Sequence, residues 1–143
     1  LRYQFLRVKL GGDVVFDINE AVSLQGNSGP YLQYAHARAC SILAKAPQAQ
    51  GASSNDHLDA DERLLLRKLS EYTEVVERAS QDLLPHYVCT YLYELAQEFN
   101  RFYEKARIIG DEREAVRLQL VVLYRDTLAR GLALLGIAAP ESM

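Results

Sequence analysis

The chain has 143 residues, 49% apolar and 24% charged, which suits one globular domain with its own core and argues against extended disorder. The net charge of −3 means that the chain as a whole does not attract phosphates, so nucleic-acid contact would need a local group of cations and aromatic rings. Two cysteines, no signal-peptide pattern and no long apolar run favour a cytoplasmic location without a membrane partner.

Short elements separated by glycines are predicted for the first quarter of the chain. Residues 1–10 have a helical pattern that a glycine pair interrupts, and a further helical turn is expected after Asp17, whose side chain suits an N-cap. A longer helix should begin near residues 27–29 and run to about Ala46, because Pro47 stops it.

The remainder of the chain is predicted to hold one loop and three long helices. Residues 47–57 are small and polar without an apolar period, which indicates a mobile surface loop. Apolar residues at three- and four-residue steps then predict one amphipathic helix over 59–83. Pro85 opens the next helix, which ends before Gly110, and residues 112–135 are apolar on more than one face, as in a central helix. With no long strand alternation, the fold class is predicted to be an all-α helical bundle forming one domain over residues 1–143.

The helix that ends near Ala46 carries two distinct stripes. At 100° per residue, one stripe is apolar and suffices for packing, and its members are Leu32, Ala35, Ala39, Ile42, Leu43 and Ala46. A second stripe begins with Tyr31, Tyr34 and Arg38 and continues through Ser41 and Lys45. Such rings and cations can stack on unpaired RNA bases at about 1–3 kcal/mol per base. Alternatively, the tyrosines are half-buried at a helix interface and the arginine pairs with an acid, and the pattern leaves both interpretations open.

Other groups of reactive side chains give weaker signals. His36 and Cys40 lie four residues apart, and His86 and Cys89 lie three apart, so a zinc site can be drawn. Close zinc ligands usually lie on tight turns rather than helices, so no metal site is predicted. No orienting group or oxyanion site accompanies Cys40, so no catalytic residue is predicted.

Cations are numerous late in the chain. Acidic residues alternate with them in sequence, and this alternation is typical of a solvated helix face. The cations in question are Arg101, Lys105, Arg107, Arg113, Arg117, Arg125 and Arg130.

Two long segments resemble a known family. The stretches "GNSGPYLQYAHARACSILAKA" and "EFNRFYEKARIIGDEREAVRLQLVVLYRDTLARGLALLGIAAPESM" closely resemble the C-terminal domain of arginyl-tRNA synthetases. The residues "EAVR", 114–117, stand where that family has its Asp-Ala-Leu-Arg (DALR) motif, with glutamate for aspartate and valine for leucine. "LRYQFL" resembles the segment that follows the catalytic core, so the resemblance spans essentially the whole chain.

The resemblance implies an all-α, DALR-type anticodon-binding domain of a class I aminoacyl-tRNA synthetase, with the anticodon loop of arginine tRNA as its partner. The residues that it places near the tRNA are Tyr31, Tyr34, Arg38, Tyr103, Met143 and, with less support because family members vary there, Arg107. Among these, Tyr103 and Met143 are expected to border one pocket for the central cytosine of the anticodon.

The resemblance also implies a parent arginine–tRNA ligase whose catalytic domain uses ATP and magnesium and is a second partner of this chain. The chain contains neither the HIGH-like nor the KMSK-like signature that binds ATP in class I synthetases, so on its own it is not expected to activate arginine or to hold a cofactor. We expect it to be monomeric. A different candidate function is a helical adaptor that binds a protein through the same tyrosine-rich face.

Overall fold

The computed structural model describes residues 1–46 and 57–143, and these residues form helices and no strands. The helices, in chain order, are α1 (Arg2–Leu6), α2 (Ile18–Ala21), α3 (Gly29–Lys45), α4 (Ala60–Ser70), α5 (Tyr72–Asp82), α6 (His86–Lys105) and α7 (Glu114–Leu134). The all-α bundle predicted from the sequence is confirmed. The mobile loop predicted for residues 47–57 lies, apart from His57, outside the described residues.

The predicted helix starts in the first quarter are confirmed. The Asp17 carboxylate accepts the backbone N–H of Asn19 at 2.7 Å, as an N-cap of α2 should. The Ser28 hydroxyl accepts the backbone N–H of Tyr31 at 3.1 Å, and Pro30 lies in the first turn of α3. Local capping chemistry therefore sets where α3, the helix with the two stripes, begins.

The single helix predicted over residues 59–83 is wrong, because the chain bends at Glu71 and forms α4 and α5 instead. The Tyr91 hydroxyl, on α6, donates to the backbone oxygen of Lys68 at 2.9 Å and lies 3.4 Å from that of Leu69. These are carbonyls of the last turn of α4, which a continuous helix would use for its own hydrogen bonds. A tertiary contact thus competes with the helix at the bend, and periodicity alone does not reveal it.

The helix predicted to be central, α7, packs against α3, α4 and α6, which confirms the prediction. Its Tyr124 ring stacks on Phe99 of α6 with centroids 3.9 Å apart. At Gly131 an added β-carbon would clash with the Leu92 side chain, so glycine at this position allows α6 and α7 to approach closely. No helix in the described segments combines the length and apolar character needed to cross a bilayer.

A buried carboxylate joins α4 to α7. The Glu62 side chain is inaccessible to solvent and accepts hydrogen bonds from Arg113 at 2.6 Å and from Arg117 at 3.0 Å. Glu62 also completes a capping box with Asp59 at the start of α4. The prediction that the late cations form a solvated face is therefore wrong for Arg117, whose side chain is only 10% exposed. Arg117 is buried because it neutralises a buried carboxylate on another helix.

The same arginine fixes the segment between α6 and α7. Arg117 donates from Nη1 to the backbone oxygen of Arg107 at 2.7 Å, and this nitrogen lies 3.2 Å from an Asp111 carboxylate oxygen. Glu114 accepts the backbone N–H of Gly110, where φ is +79°. Residues 106–110 are thereby anchored to the clamp formed by Glu62, Arg113 and Arg117.

The end of α7 turns the chain back toward α3. The N–H groups of Gly136 and Ile137 donate to the carbonyls of Ala133 and Leu132, each at 2.9 Å, and Gly136 has a φ of +66°. This is a Schellman motif, in which glycine adopts the left-handed conformation at low cost. Ile137 then packs against the core, so the last residues begin their course from a fixed point.

We expect Glu62→Gln to lower the free energy of unfolding at neutral pH by about 3–5 kcal/mol, because it leaves two arginines without their buried anion. Burial raises the pKa of Glu62, but hydrogen bonds from Arg113, the Asp59 backbone and Arg117 outweigh it and hold the pKa at about 2 instead of 4.5. The carboxylate therefore stabilises the fold fully above pH 4.5, and this contribution disappears as the pH falls toward 2.

Urea denaturation followed by circular dichroism across this pH range measures both effects, and the variant should lose the part of the pH dependence that Glu62 causes. Glu94→Gln is the matched control, since Glu94 pairs with Lys68 at 2.6 Å but its side chain is 50% exposed. The control should cost at most about 1 kcal/mol. Equal losses in the two variants would contradict a special role for the clamp.

Candidate nucleic-acid interface

Arg38 is the residue around which the predicted site residues gather. Its guanidinium carbon lies 4.4 Å from the centroid of the Tyr103 ring, and Nη1 lies 3.4 Å from Asn100 Oδ1. Both partners are uncharged, and within the described part of the chain Arg38 has no ion pair within 4.0 Å. The ring and the amide therefore orient the guanidinium without neutralising its charge.

The two tyrosines of the second stripe have different environments. Tyr31 is half-buried between α3 and α6, where its hydroxyl accepts from Asn100 Nδ2 at 2.9 Å and its ring packs edge-on against Tyr93. Burial and the neighbouring Tyr93 raise the pKa of Tyr31. Tyr34 is 44% exposed and is the ring of this stripe that solvent reaches most freely. The interface interpretation thus describes Tyr31, whereas Tyr34 is accessible to a ligand.

A depression of about 440 Å³ lies beside Arg38, at the junction of α3, the end of α6 and the segment that follows α6. The residues lining it are Arg38, Ser41, Ile42, Lys45, Tyr103, Ala106, Arg107, Ile108 and Ile109. Three of these residues are cationic and none is acidic. The chain as a whole is acidic, but this depression is locally positive and partly apolar.

A second depression, of about 270 Å³, adjoins the first. Its lining combines α3 with the last residues of the chain and comprises Tyr34, Ala37, Arg38, Ser41, Glu141, Ser142 and Met143. Arg38 and Ser41 line both depressions. Tyr103 and Met143, which were expected at one pocket, are thus placed in two adjoining depressions.

Sequence reasoning missed one residue that organises this surface. Asn100 contacts both Tyr31 and Arg38, and so it links the second stripe of α3 to α6. The available signal was its position three residues before Tyr103, which places both on one face of a helix. Ser41 and Lys45, by contrast, were assigned to the second stripe, and they line the larger depression together.

The residues considered as zinc ligands are not gathered into one group in the described part of the chain. Cys40 Sγ lies 3.8 Å from His36 Nδ1, but no group of three or more His, Cys, Asp or Glu side chains that could hold a metal occurs in residues 1–46 and 57–143. Burial raises the pKa of the Cys89 thiol to about 12.

Comparison with known proteins assigns this arrangement to a family. A family model described as the DALR anticodon binding domain matches residues 32–143. The chain belongs to this family. The resemblance and fold class inferred from the sequence are thereby confirmed.

The DALR domain is similar to parts of larger proteins. It is 40% identical over 152 residues to an arginine–tRNA ligase of Methanosarcina barkeri, and 39% identical over 148 residues to that of Vibrio parahaemolyticus. These matches cover 100% of this chain but only 27% and 26% of the two ligases. The chain therefore spans about a quarter of the length of these relatives.

Solved structures give the same result. The arginyl-tRNA synthetase of Thermus thermophilus superimposes with a TM-score of 0.90 and 39% identity, covering 99% of this chain and 26% of that one. A putative arginyl-tRNA synthetase from Campylobacter jejuni gives a TM-score of 0.85 and 28% identity, covering 99% and 32%.

The motif that names the family has a structural role in this DALR domain. Of residues 114–117, Glu114 accepts the Gly110 N–H, Val116 is buried, and Arg117 binds Glu62. These contacts lie in the clamp and its anchored segment. Arg117 of this motif thus holds the backbone of Arg107, which belongs to the segment that lines the larger depression.

We expect the two tyrosines of the second stripe to differ in their effect on stability. Tyr31→Ala removes a half-buried ring and leaves Asn100 without its hydroxyl partner, so the free energy of unfolding should fall by about 2–4 kcal/mol. Tyr34→Ala alters an exposed ring and should cost less than about 0.5 kcal/mol. Urea titrations of both variants test this, and equal costs would contradict the assigned environments.

Proposed function

We propose that residues 1–143 act as one DALR-type domain that binds the anticodon loop of arginine tRNA. The observation that carries the proposal is the charged guanidinium of Arg38, held between two depressions by neutral groups in a domain of an anticodon-binding family. A nucleic acid supplies both flat bases and phosphates for such a surface. Because the net charge of the chain is −3, any phosphate contact must come from a local group of cations, and the larger depression contains such a group.

In this proposal, binding consists of stacking together with cationic contacts and involves no chemical step. An unpaired base stacks against the exposed ring of Tyr34, with Met143 beside it, in the smaller depression. Phosphates or base edges of the neighbouring nucleotides meet Arg38, Lys45 and Arg107 in the larger one. Tyr103 orients Arg38, and Tyr31 holds the packing of α3 on α6.

The relatives support a wider setting for this binding. Because the chain spans about a quarter of arginine–tRNA ligases that it resembles over its whole length, we infer that it serves such a ligase as its recognition domain. The catalytic domain of that parent, with ATP and magnesium, would join arginine to the tRNA held here. The proposal places the protein in the cytoplasm as a monomer.

The test is a binding titration of this chain with an RNA hairpin that reproduces the anticodon stem and loop of arginine tRNA. A second hairpin, with its central cytosine changed to uracil, measures base preference. We expect tighter binding of the cytosine hairpin. Each phosphate of a single strand that a protein cation neutralises contributes about −0.7 to the slope of log K, the association constant, against log salt concentration. Because three cations line the larger depression, we expect a slope of about −2. Absence of binding at low salt, or absence of base preference, would overturn the proposal.

Substitutions assign the binding to this surface. Tyr34→Ala and Arg38→Ala should each weaken binding by about tenfold, the loss expected for one stacked base or one charge contact. Arg78→Ala is the matched control, because Arg78 lies 4.8 Å from the Tyr87 ring in the same kind of cation–π pair on another face. The control should bind RNA normally. Salt-insensitive binding of a protein, with no RNA binding, would instead favour the adaptor function.

A further inference from the structure

The last residues of the chain are tied to α3 by their backbone carbonyls. Gln33 donates from Nε2 to the carbonyl of Ala138 at 2.9 Å, and His36 Nδ1 lies 2.8 Å from the carbonyl of Pro140. A carbonyl only accepts, so Nδ1 of this histidine carries the proton of the bond. The segment 136–143, here called the tail, thus follows a helix that also bears the second stripe.

The two donors are spaced to guide the tail along α3. Gln33 and His36 are three residues apart, or about 4.5 Å along the helix axis, whereas alternate carbonyls of an extended chain lie about 6.6 Å apart. Because the later donor on α3 binds the later carbonyl of the tail, the tail and the helix run in the same direction. Pro140 also restricts Ala139 to extended conformations, which keeps the tail from coiling.

Continuing in this direction, the tail reaches the smaller depression. Residues 141–143 line it together with Tyr34, which lies between the two donors on α3, and with Ala37, Arg38 and Ser41, which follow them. His36 itself is buried, with 4% of its surface exposed, and it is not among the residues that line this depression. His36 therefore does not line the position that a ligand would occupy there, and its bond to the tail is a route by which it can affect one.

We propose that His36 and Gln33 are positioning residues that hold the tail on α3 and so keep Met143 in the lining of the smaller depression, beside Tyr34. This inference rests on the proposed function and specifies how one of its two depressions is assembled. Met143 is 65% exposed, and its flexible thioether is available to contact a base in this depression. Without the His36 bond, the tail leaves this position and one wall of the depression is lost.

The position of the tail can be measured without RNA. Met143 is the single methionine of the sequence, so labelling methionine methyl groups with ¹³C gives one NMR signal. His36→Leu fills the same space with an apolar side chain of similar size and removes the donor. We expect the Met143 methyl signal of this variant to narrow and to move to the position found in a free tail peptide. His36→Asn retains an N–H donor near the position of Nδ1 and should restore the signal of the unaltered chain.

A control variant separates tail placement from general packing. Cys40→Ala changes the side chain that contacts the His36 ring but leaves the tail carbonyls and their donors in place. Circular dichroism should show intact helices in all variants, and the control should leave the Met143 signal unchanged. If His36→Leu unfolds the chain, Gln33→Leu repeats the test at an exposed hydrogen bond. An unchanged Met143 signal in a folded donor-less variant overturns the inference.

A double-mutant cycle in RNA binding tests whether His36 acts through Met143. We expect His36→Leu and Met143→Ala each to lower affinity for the cytosine hairpin by about tenfold and to reduce its preference over uracil. In the chain carrying both changes, the loss should equal that of either one alone, because both remove the same wall. Independent, additive losses would show that His36 has a merely structural role.

The two proposals fail in different ways. If the unaltered chain does not bind the cytosine hairpin, the proposed function is overturned whatever the Met143 signal shows. If the unaltered chain binds with preference, but His36→Leu alters neither the signal nor the preference, the positioning inference alone is overturned.

Discussion

A carboxylate without access to water is tolerated only when cations hold it, and Glu62 satisfies this constraint by joining α4 to α7. Arg117, one of these cations, also donates from Nη1 to the backbone oxygen of Arg107, so the buried ion pair is connected to a segment at the surface. The larger depression takes four lining residues from this anchored segment, 106–109. Its shape therefore depends on a buried ion pair that does not line it.

Charge on this chain is distributed according to what each arginine contacts. Arg117 is paired with acids and serves the fold, whereas Arg38 is oriented by a ring and an amide and has no acidic partner within the described residues. The two residues are of the same type and both are shielded from solvent to some degree. Their neighbours therefore assign Arg117 to stability, while the proposed function assigns Arg38 to recognition.

Structural features that depend on residues close together in the sequence could be predicted from the sequence pattern. The caps at Asp17 and Ser28 and the course of α3 follow from short-range hydrogen bonds and helical periodicity, and both stripes of α3 were readable for the same reason. The bend at Glu71, the burial of Arg117 and the different environments of the two tyrosines depend on segments far apart in the chain. Periodicity carries no information about such partners, so these features required the structure.

The tail also makes this surface separable from the core. Residues 141–143 supply three of the seven residues that line the smaller depression. Among the described residues, no buried side chain lies beyond Leu135. Proteolytic loss of the last three residues would therefore remove one wall of the smaller depression and leave the packed core of α3, α6 and α7 in place.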